Sequence, residues 1–257
     1  MPDASTNMVL YFSQSHKISS RENISMNVIS LENVTILSFD LYGTIVDMQS
    51  GLVEVIAPFL KARGFTGNPN SVVTWWRRTH YQDSMIDALI GGNHTPYREI
   101  GHRAISYTLK RAGIAYTDKD IRSLVTSIER LKPFPDVSAS LDRLRSKFKL
   151  VVLSNGDSDM LRSATQHHGL LFDAQVSVDS AGVFKPHHKT YETAADILET
   201  NITSICHIAA HPFDCIGAKA TGMHSIYVNR RNVPFGFSPY KPDLEVTDFL
   251  QLATALT

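Results

Sequence analysis

Five short apolar runs set the tightest limit on how this chain folds: Val34–Phe39, Leu150–Leu153, Ala174–Val178, Ile205–Ala210 and Ser225–Val228. Each is four to six residues long and lacks strict alternation of apolar and polar residues. A strand with one wet face alternates; a strand covered on both faces does not. Helical periodicity separates the runs. Val137, Leu141, Leu144 and Phe148 fall near the 3.6-residue period, and Tyr191, Ala194, Ala195 and Leu198 line one face of a helix predicted over 189–200. Further helices are predicted over 157–167 and 216–221, the latter stopped by Gly222. Buried strands alternating with helices give an α/β fold whose parallel sheet is closed by right-handed crossovers. Ligands of such sheets sit beyond the carboxyl ends of the strands.

The stretch 51–131 breaks the rhythm. It reads as helices over 52–62, 71–90, 97–112 and 118–131, with no convincing buried strand, and Lys132-Pro133-Phe134-Pro135 closes it with a stiff connector. The expected organisation is therefore a flexible N-terminal extension over 1–33, a catalytic core from 34–50 and 132–257, and an all-helical cap over 51–131. Residues 1–33 are polar and Ser/Asn-rich; Met8–Phe12 is too short and too weakly charged upstream for a secretory signal.

Composition narrows the class. With 43% hydrophobic and 19% charged residues the chain has enough apolar matter for a packed core. Its 25 basic and 25 acidic side chains cancel, so no footprint for nucleic acid or an anionic membrane is expected. No run approaches the ~20 apolar residues of a membrane span. Two cysteines, Cys206 and Cys215, make no disulfide framework and suit a reducing, cytoplasmic compartment.

Polar groups recur where the strands end. Asp40 follows the first run in Asp40-Leu-Tyr-Gly-Thr44; Ser154-Asn155-Gly156 follows the second; Lys185 stands in Gly182-Val-Phe-Lys-Pro186; Asp214 stands in Ala209-Ala-His-Pro-Phe-Asp214. A carboxylate at a strand tip is placed to act as a nucleophile. Gly43 permits a tight turn whose free N–H groups bind an anion, and Ser154-Asn155-Gly156 offers a hydroxyl, an amide and N–H groups at a helix start. Taken singly, each group is equally a turn residue or a helix cap. Their order, each against a separate strand tip, favours chemistry.

That order, Phe39-Asp-Leu-Tyr-Gly-Thr44, Leu153-Ser-Asn-Gly156, Lys185-Pro186 and Phe213-Asp214, resembles the haloacid dehalogenase superfamily over roughly 34–230. The resemblance implies a Rossmann-like core with Asp40 as nucleophile. The phosphatase branch of that superfamily carries Asp-x-Asp at the first motif and a Gly-Asp pair near the fourth, which hold Mg²⁺. Here Tyr42 and Ala209-Ala210 stand in those places, and a hard cation needs several oxygen ligands. Asp-x-Tyr-Gly-Thr is instead similar to the L-2-haloacid dehalogenases. Their Trp-Arg pair is matched by Trp76-Arg77, with Arg78 as the rival arginine, and Tyr191 stands six residues after Lys185 as theirs does.

The resemblance implies a metal-independent, cofactor-free hydrolysis of (S)-2-haloacids to (R)-2-hydroxyacids. Substrate carboxylate docks on Ser154 and nearby N–H groups, including those of Leu41 and Tyr42. Asp40 attacks the halogen-bearing carbon and forms an ester. Arg77 and the Asn155 amide stabilise the departing halide, Lys185 keeps Asp40 ionised, and Thr44 and Tyr191 orient these groups. Asp214 activates the hydrolytic water, and Tyr42 and Phe213 wall the site from bulk solvent. Family members assemble as homodimers, so a homodimer is expected, with no nucleic-acid or membrane partner. One departure stands out: where members have Ser-Ser-Asn before the fourth motif, this chain has Ala209-Ala210-His211. His211 is either a replacement hydrogen-bonding group or base, or a packing residue before Pro212. Alternatives to dehalogenation are a hydrolase that opens a strained ring on a small 2-carboxylate (azetidine-2-carboxylate type) and a Mg²⁺-dependent phosphatase. The pairs His167-His168 and His187-His188 read as solvated surface, Cys206, His207 and Cys215 lack the spacing of a zinc site, and Trp75, Trp76 and Tyr81 read as cap packing.

Overall fold

The computed structural model describes residues 31–257. Leu31 starts a turn, closed by the Val34 N–H donating to the Leu31 carbonyl, and its side chain packs on the core. The remainder of the predicted N-terminal extension lies outside the described residues.

Six strands form one sheet: β1 (Ile36–Phe39), β2 (Lys149–Ser154), β3 (Ala174–Ser177), β4 (Ile205–Ala209), β5 (His224–Val228) and β6 (Leu244–Val246). They are ordered β3-β2-β1-β4-β5-β6, and every pairing is parallel. The predicted strands are all present, with ends shifted by a residue or two. Alternate residues of β2 serve opposite faces: Leu150 and Val152 belong to one apolar cluster, Val151 and Leu153 to another. This is why the run shows no polar alternation. The first cluster takes in helices α5 (Val137–Leu144), α6 (Ser158–His167) and α9 (Phe249–Leu256); the second takes in α7 (His188–Ile197) and α8 (Pro212–Ala220).

Between β1 and β2 run α1 (Met48–Ala62), α2 (Pro69–Ile90), α3 (Tyr97–Arg111) and α4 (Asp118–Thr126), followed by a 3-10 turn over Ser127–Arg130. The apolar face of α2 (Val72, Val73, Trp76) meets that of α3 (Ile100, Ala104, Ile105), and both are buried. α4 starts at a complete capping box: the Thr117 hydroxyl accepts from the Asp120 N–H while the Asp120 carboxylate accepts from the Thr117 N–H. The inserted helices are tied to the sheet by Asp157, whose carboxylate accepts from the first N–H groups of α3, Tyr97 at 2.6 Å and Arg98 at 3.1 Å. Among the described residues no helix is long and apolar enough to cross a membrane.

Two expectations are corrected. Trp75 does not pack inside; it is 42% exposed, with the Arg111 guanidinium over its ring, whereas Trp76 is buried. Of the histidine pairs, His168 and His187 are half-buried rather than surface, and the His187 ring caps α7 by accepting from the Lys189 N–H.

The sheet order reverses direction between β1 and β4, since β2 lies on one side of β1 and β4 on the other. Crevices for ligands open at such a reversal. Asp40 emerges from β1 there, with its N–H bonded to the Ile208 carbonyl of β4.

Candidate active site

Asp40 is held by groups from three separate segments. Its Oδ2 accepts from the Thr44 hydroxyl at 2.7 Å, and that hydroxyl in turn accepts from the Ala210 N–H at 2.9 Å. Lys185 Nζ lies 3.5 Å from Oδ1, and His211 Nδ1 lies 3.4 Å from Oδ2. Burial works to raise the Asp40 pKa, but Lys185 and then the His211 contact outweigh it, so the carboxyl sits below its ordinary value. The nucleophile position is thus both ionised and nearly dry, with Asp40 only 7% exposed.

Lys185 is itself buried and makes a closer ion pair, 2.9 Å, with Asp214. The other Asp214 oxygen receives the Tyr191 hydroxyl at 2.7 Å and faces His207 Nε2 at 3.0 Å; the His207 ring is braced by Ser38 at 2.8 Å. Burial raises the Asp214 pKa, yet His207 and Lys185 more than reverse it and hold the group well below the carboxylate range. Burial, reinforced by Asp214, pushes the Tyr191 hydroxyl up and keeps it a neutral donor.

The Asp40 turn opens on a cavity of about 760 Å³ whose lining includes Arg77, Ser154, Asn155, His211 and Phe213. Gly43 has φ +96°, and a Cβ there would meet His211 Cε1 at 2.7 Å and Arg77 Nη2 at 3.2 Å. Only glycine lets the ring and the guanidinium close over the turn. Arg77 Nη1 donates to Gln49 Oε1 at 2.8 Å. The Ser154 hydroxyl is buried without a partner at the cavity wall. Asn155 accepts the Lys185 N–H on its Oδ1, which leaves its amide NH₂ for the cavity it lines. Tyr42 is neutral, its pKa raised by burial, and its ring is stacked on Tyr97 with centroids 6.0 Å apart. A Cβ on Gly156 would sit 2.8 Å from that ring, so a small residue at 156 is a condition of Tyr42 lining the site.

An ionised, buried carboxylate facing cations and dipoles across a cavity can act as a nucleophile on a substrate that releases an anion. The Mg²⁺ of the phosphatase branch does not fit these donors. Asp40 already faces a lysine and a histidine, Asp214 has its oxygens taken, and residue 210 is an alanine with no side-chain ligand to give. Among the described residues no three His, Cys, Asp or Glu side chains converge as a metal site.

Comparison with known families agrees with this geometry. A family model described as haloacid dehalogenase-like hydrolase matches residues 34–222. The chain belongs to the haloacid dehalogenase-like hydrolases. The (S)-2-haloacid dehalogenase of Xanthobacter autotrophicus is 31% identical over 194 residues, covering 75% of this chain and 74% of the relative. Haloacetate dehalogenase H-2 of Moraxella sp. strain B is 27% identical over 219 residues, covering 84% and 95%. The solved structure of the Xanthobacter L-2-haloacid dehalogenase with chloropropionic acid covalently bound superposes with a TM-score of 0.76 at 26% identity, over 86% of this chain and 97% of that one.

In this haloacid dehalogenase-like hydrolase the structure brings Asp40, Thr44, Lys185, Tyr191, His211 and Asp214 into one network, and places Arg77, Tyr42, Ser154, Asn155 and Phe213 on the adjoining cavity. Arg78, the rival to Arg77, also borders the cavity but is exposed, with its guanidinium over the Trp75 ring. The Leu41 side chain is fully buried in the core and does not line the cavity, so only its backbone remains a binding element. Asp214, expected to activate water, is outside the lining and fully engaged by Lys185, His207 and Tyr191. Tyr81, read as cap packing, lines the cavity with its ring on Phe213, centroids 4.6 Å apart. Two groups escaped the sequence reading. His207, weighed in the sequence only as a zinc ligand that lacks the spacing, braces Asp214 instead. Arg230, which bonds the Thr44 carbonyl and Asp136, clamps the nucleophile turn from behind. The signal for His207 was its register: Ser38 and His207 pair across β1 and β4 as polar residues inside buried runs.

Proposed function

We propose that this chain is an (S)-2-haloacid dehalogenase, hydrolysing (S)-2-haloacids to (R)-2-hydroxyacids through an ester on Asp40. The observation that carries the reading is an ionised, buried carboxylate facing a cavity with Tyr42 where a phosphatase has its second Asp. Substrate carboxylate docks on the unpartnered Ser154 hydroxyl and backbone N–H groups of the Asp40 turn. Asp40 attacks the 2-carbon from behind; its oxygen–carbon bond forms as the carbon–halogen bond breaks. Arg77 and the Asn155 amide receive the halide. Water then cleaves the ester at the Asp40 carboxyl carbon, and the product keeps one former Asp40 oxygen. His211, 3.4 Å from Asp40 and on the cavity wall, is the group placed to take the water proton. Asp214 acts through Lys185, fixing the ammonium that keeps Asp40 ionised. One relative is named as an (S)-2-haloacid dehalogenase and the other as a haloacetate dehalogenase, in support of this reading.

The catalytic core is assigned to 34–50 and 132–257 and the cap to 51–131, in a cytoplasmic homodimer. Release of halide from (S)- but not (R)-2-chloropropionate, unaffected by EDTA, is the expected assay result. Phosphate release from p-nitrophenyl phosphate that EDTA abolishes, or turnover of azetidine-2-carboxylate alone, contradicts it.

A further inference from the structure

The chain carries no net charge, yet the cavity beside Asp40 gathers four arginines, Arg77, Arg78, Arg230 and Arg231, against two aspartates, Asp40 and Asp47. Asp47 is occupied as the cap of α1, where it accepts the Ser50 N–H. Arg230 is accounted for by its 2.6 Å contact with Asp136. Arg78 and Arg231 are both exposed and pair with no carboxylate among the described residues, but Arg78 lies over the Trp75 ring, whereas Arg231 has no aromatic partner among them. Arg231 also stands near enough to Arg77 to oppose that residue's charge: burial first, and Arg231 next, hold the Arg77 guanidinium below its ordinary pKa. Asp47 and Asp40 each offset this repulsion by less than Arg231 imposes it, and an anion bound between the guanidiniums relieves it further. The volume, about 760 Å³, lies within the roughly 300–1,000 Å³ that take drug-sized ligands. A three-carbon acid fills a small part of it.

We infer that Arg231 forms a second anion site at the cavity mouth, and that the substrate is a 2-halo dicarboxylic acid, its 1-carboxylate on Ser154 and its distal carboxylate on Arg231. The inference rests on the dehalogenase reading and names its substrate class. Guanidinium binds carboxylate in a bidentate fork, which suits a terminal carboxylate free to rotate into it.

The test compares kcat/KM for (S)-2-chlorosuccinate and (S)-2-chloropropionate at matched ionic strength, in the full chain and in Arg231→Gln. The dicarboxylate is expected to lead by about tenfold or more, and Arg231→Gln to cost it about tenfold more than it costs the monocarboxylate. A lead for the monocarboxylate overturns the inference. So does an equal loss for both, which means that Arg231 only steers anions inward. If neither acid releases halide, the dehalogenase reading has failed, and the second site is read by calorimetry with (R)-malate and (R)-lactate. Tighter malate binding that Arg231→Gln removes sustains the site; equal binding of the two acids, or malate binding that the variant keeps, sinks it.

Discussion

Asp40 needs its neighbours more than they need it. Replacing it by Asn removes the attacking oxygen anion, and halide release is expected to fall by at least about 10³-fold, measured by halide titration. Folding is expected to survive, because Lys185 keeps its closer partner Asp214 at 2.9 Å. The converse change is costlier. Asp214→Ala strands Lys185 and His207 in a site where Lys185 is 1% exposed, and loss of one partner of a buried pair costs about 3–5 kcal/mol, readable by urea denaturation. The sign of the pH response follows from the same groups. Asp40 and Asp214 both have folded pKa values below their unfolded ones. Their stabilisation is therefore complete above the unfolded carboxylate value, near ~3.9, and is lost as pH falls through the folded values. The ester-forming step, read as kcat/KM, is expected to hold its plateau down to acid pH, because Asp40 stays ionised there. Lys185→Met, by removing the main force that lowers Asp40, should move the acid limb of kcat/KM upward; an unmoved limb refutes the role given to Lys185.

Among the elements, those that build the sheet were legible because burial on both faces leaves a plain mark, an apolar run without alternation. β6 and α9 were not. Leu244–Val246 is three residues with a central glutamate, at the sheet edge, and Phe249–Leu256 is apolar on most of its circumference. Neither length nor period marks them. α8 begins four residues before the predicted start because Pro212 occupies its first position, which a helix accepts and a periodicity count does not see. Asp40, Ser154 and Asn155 were legible as candidates because they stand at or just after strand ends, where a polar residue interrupts an apolar run. His207 and Arg230 were missed because each has a partner far along the chain, Ser38 on β1 for His207 and Asp136 ahead of α5 for Arg230. The inserted helices offer an independent check. Thr117→Ala breaks the capping box of α4, remote from the cavity lining. It is expected to cost about 0.5–2 kcal/mol in thermal denaturation while leaving kcat unchanged; a loss of turnover would mean that α4 takes part in holding the site.

The molecule as a whole places one carboxylate at the reversal point of a parallel sheet, beneath helices inserted straight after the strand that bears it. Strand β4, helix α8 and the loop before α7 supply the charge balance through His207, Asp214 and Lys185, and the inserted helix α2 supplies Arg77 across the cavity. No step in this account passes through a divalent cation, so turnover is expected to be the same with and without EDTA. The decisive experiment is a single turnover in ¹⁸O-water with enzyme in excess over (S)-2-haloacid, followed by mass spectrometry of product and of the peptide containing Asp40. An ester on Asp40 predicts unlabelled 2-hydroxyacid and one ¹⁸O in the Asp40 carboxyl. Label in the product with none in the peptide would mean that water, and not Asp40, attacks the carbon.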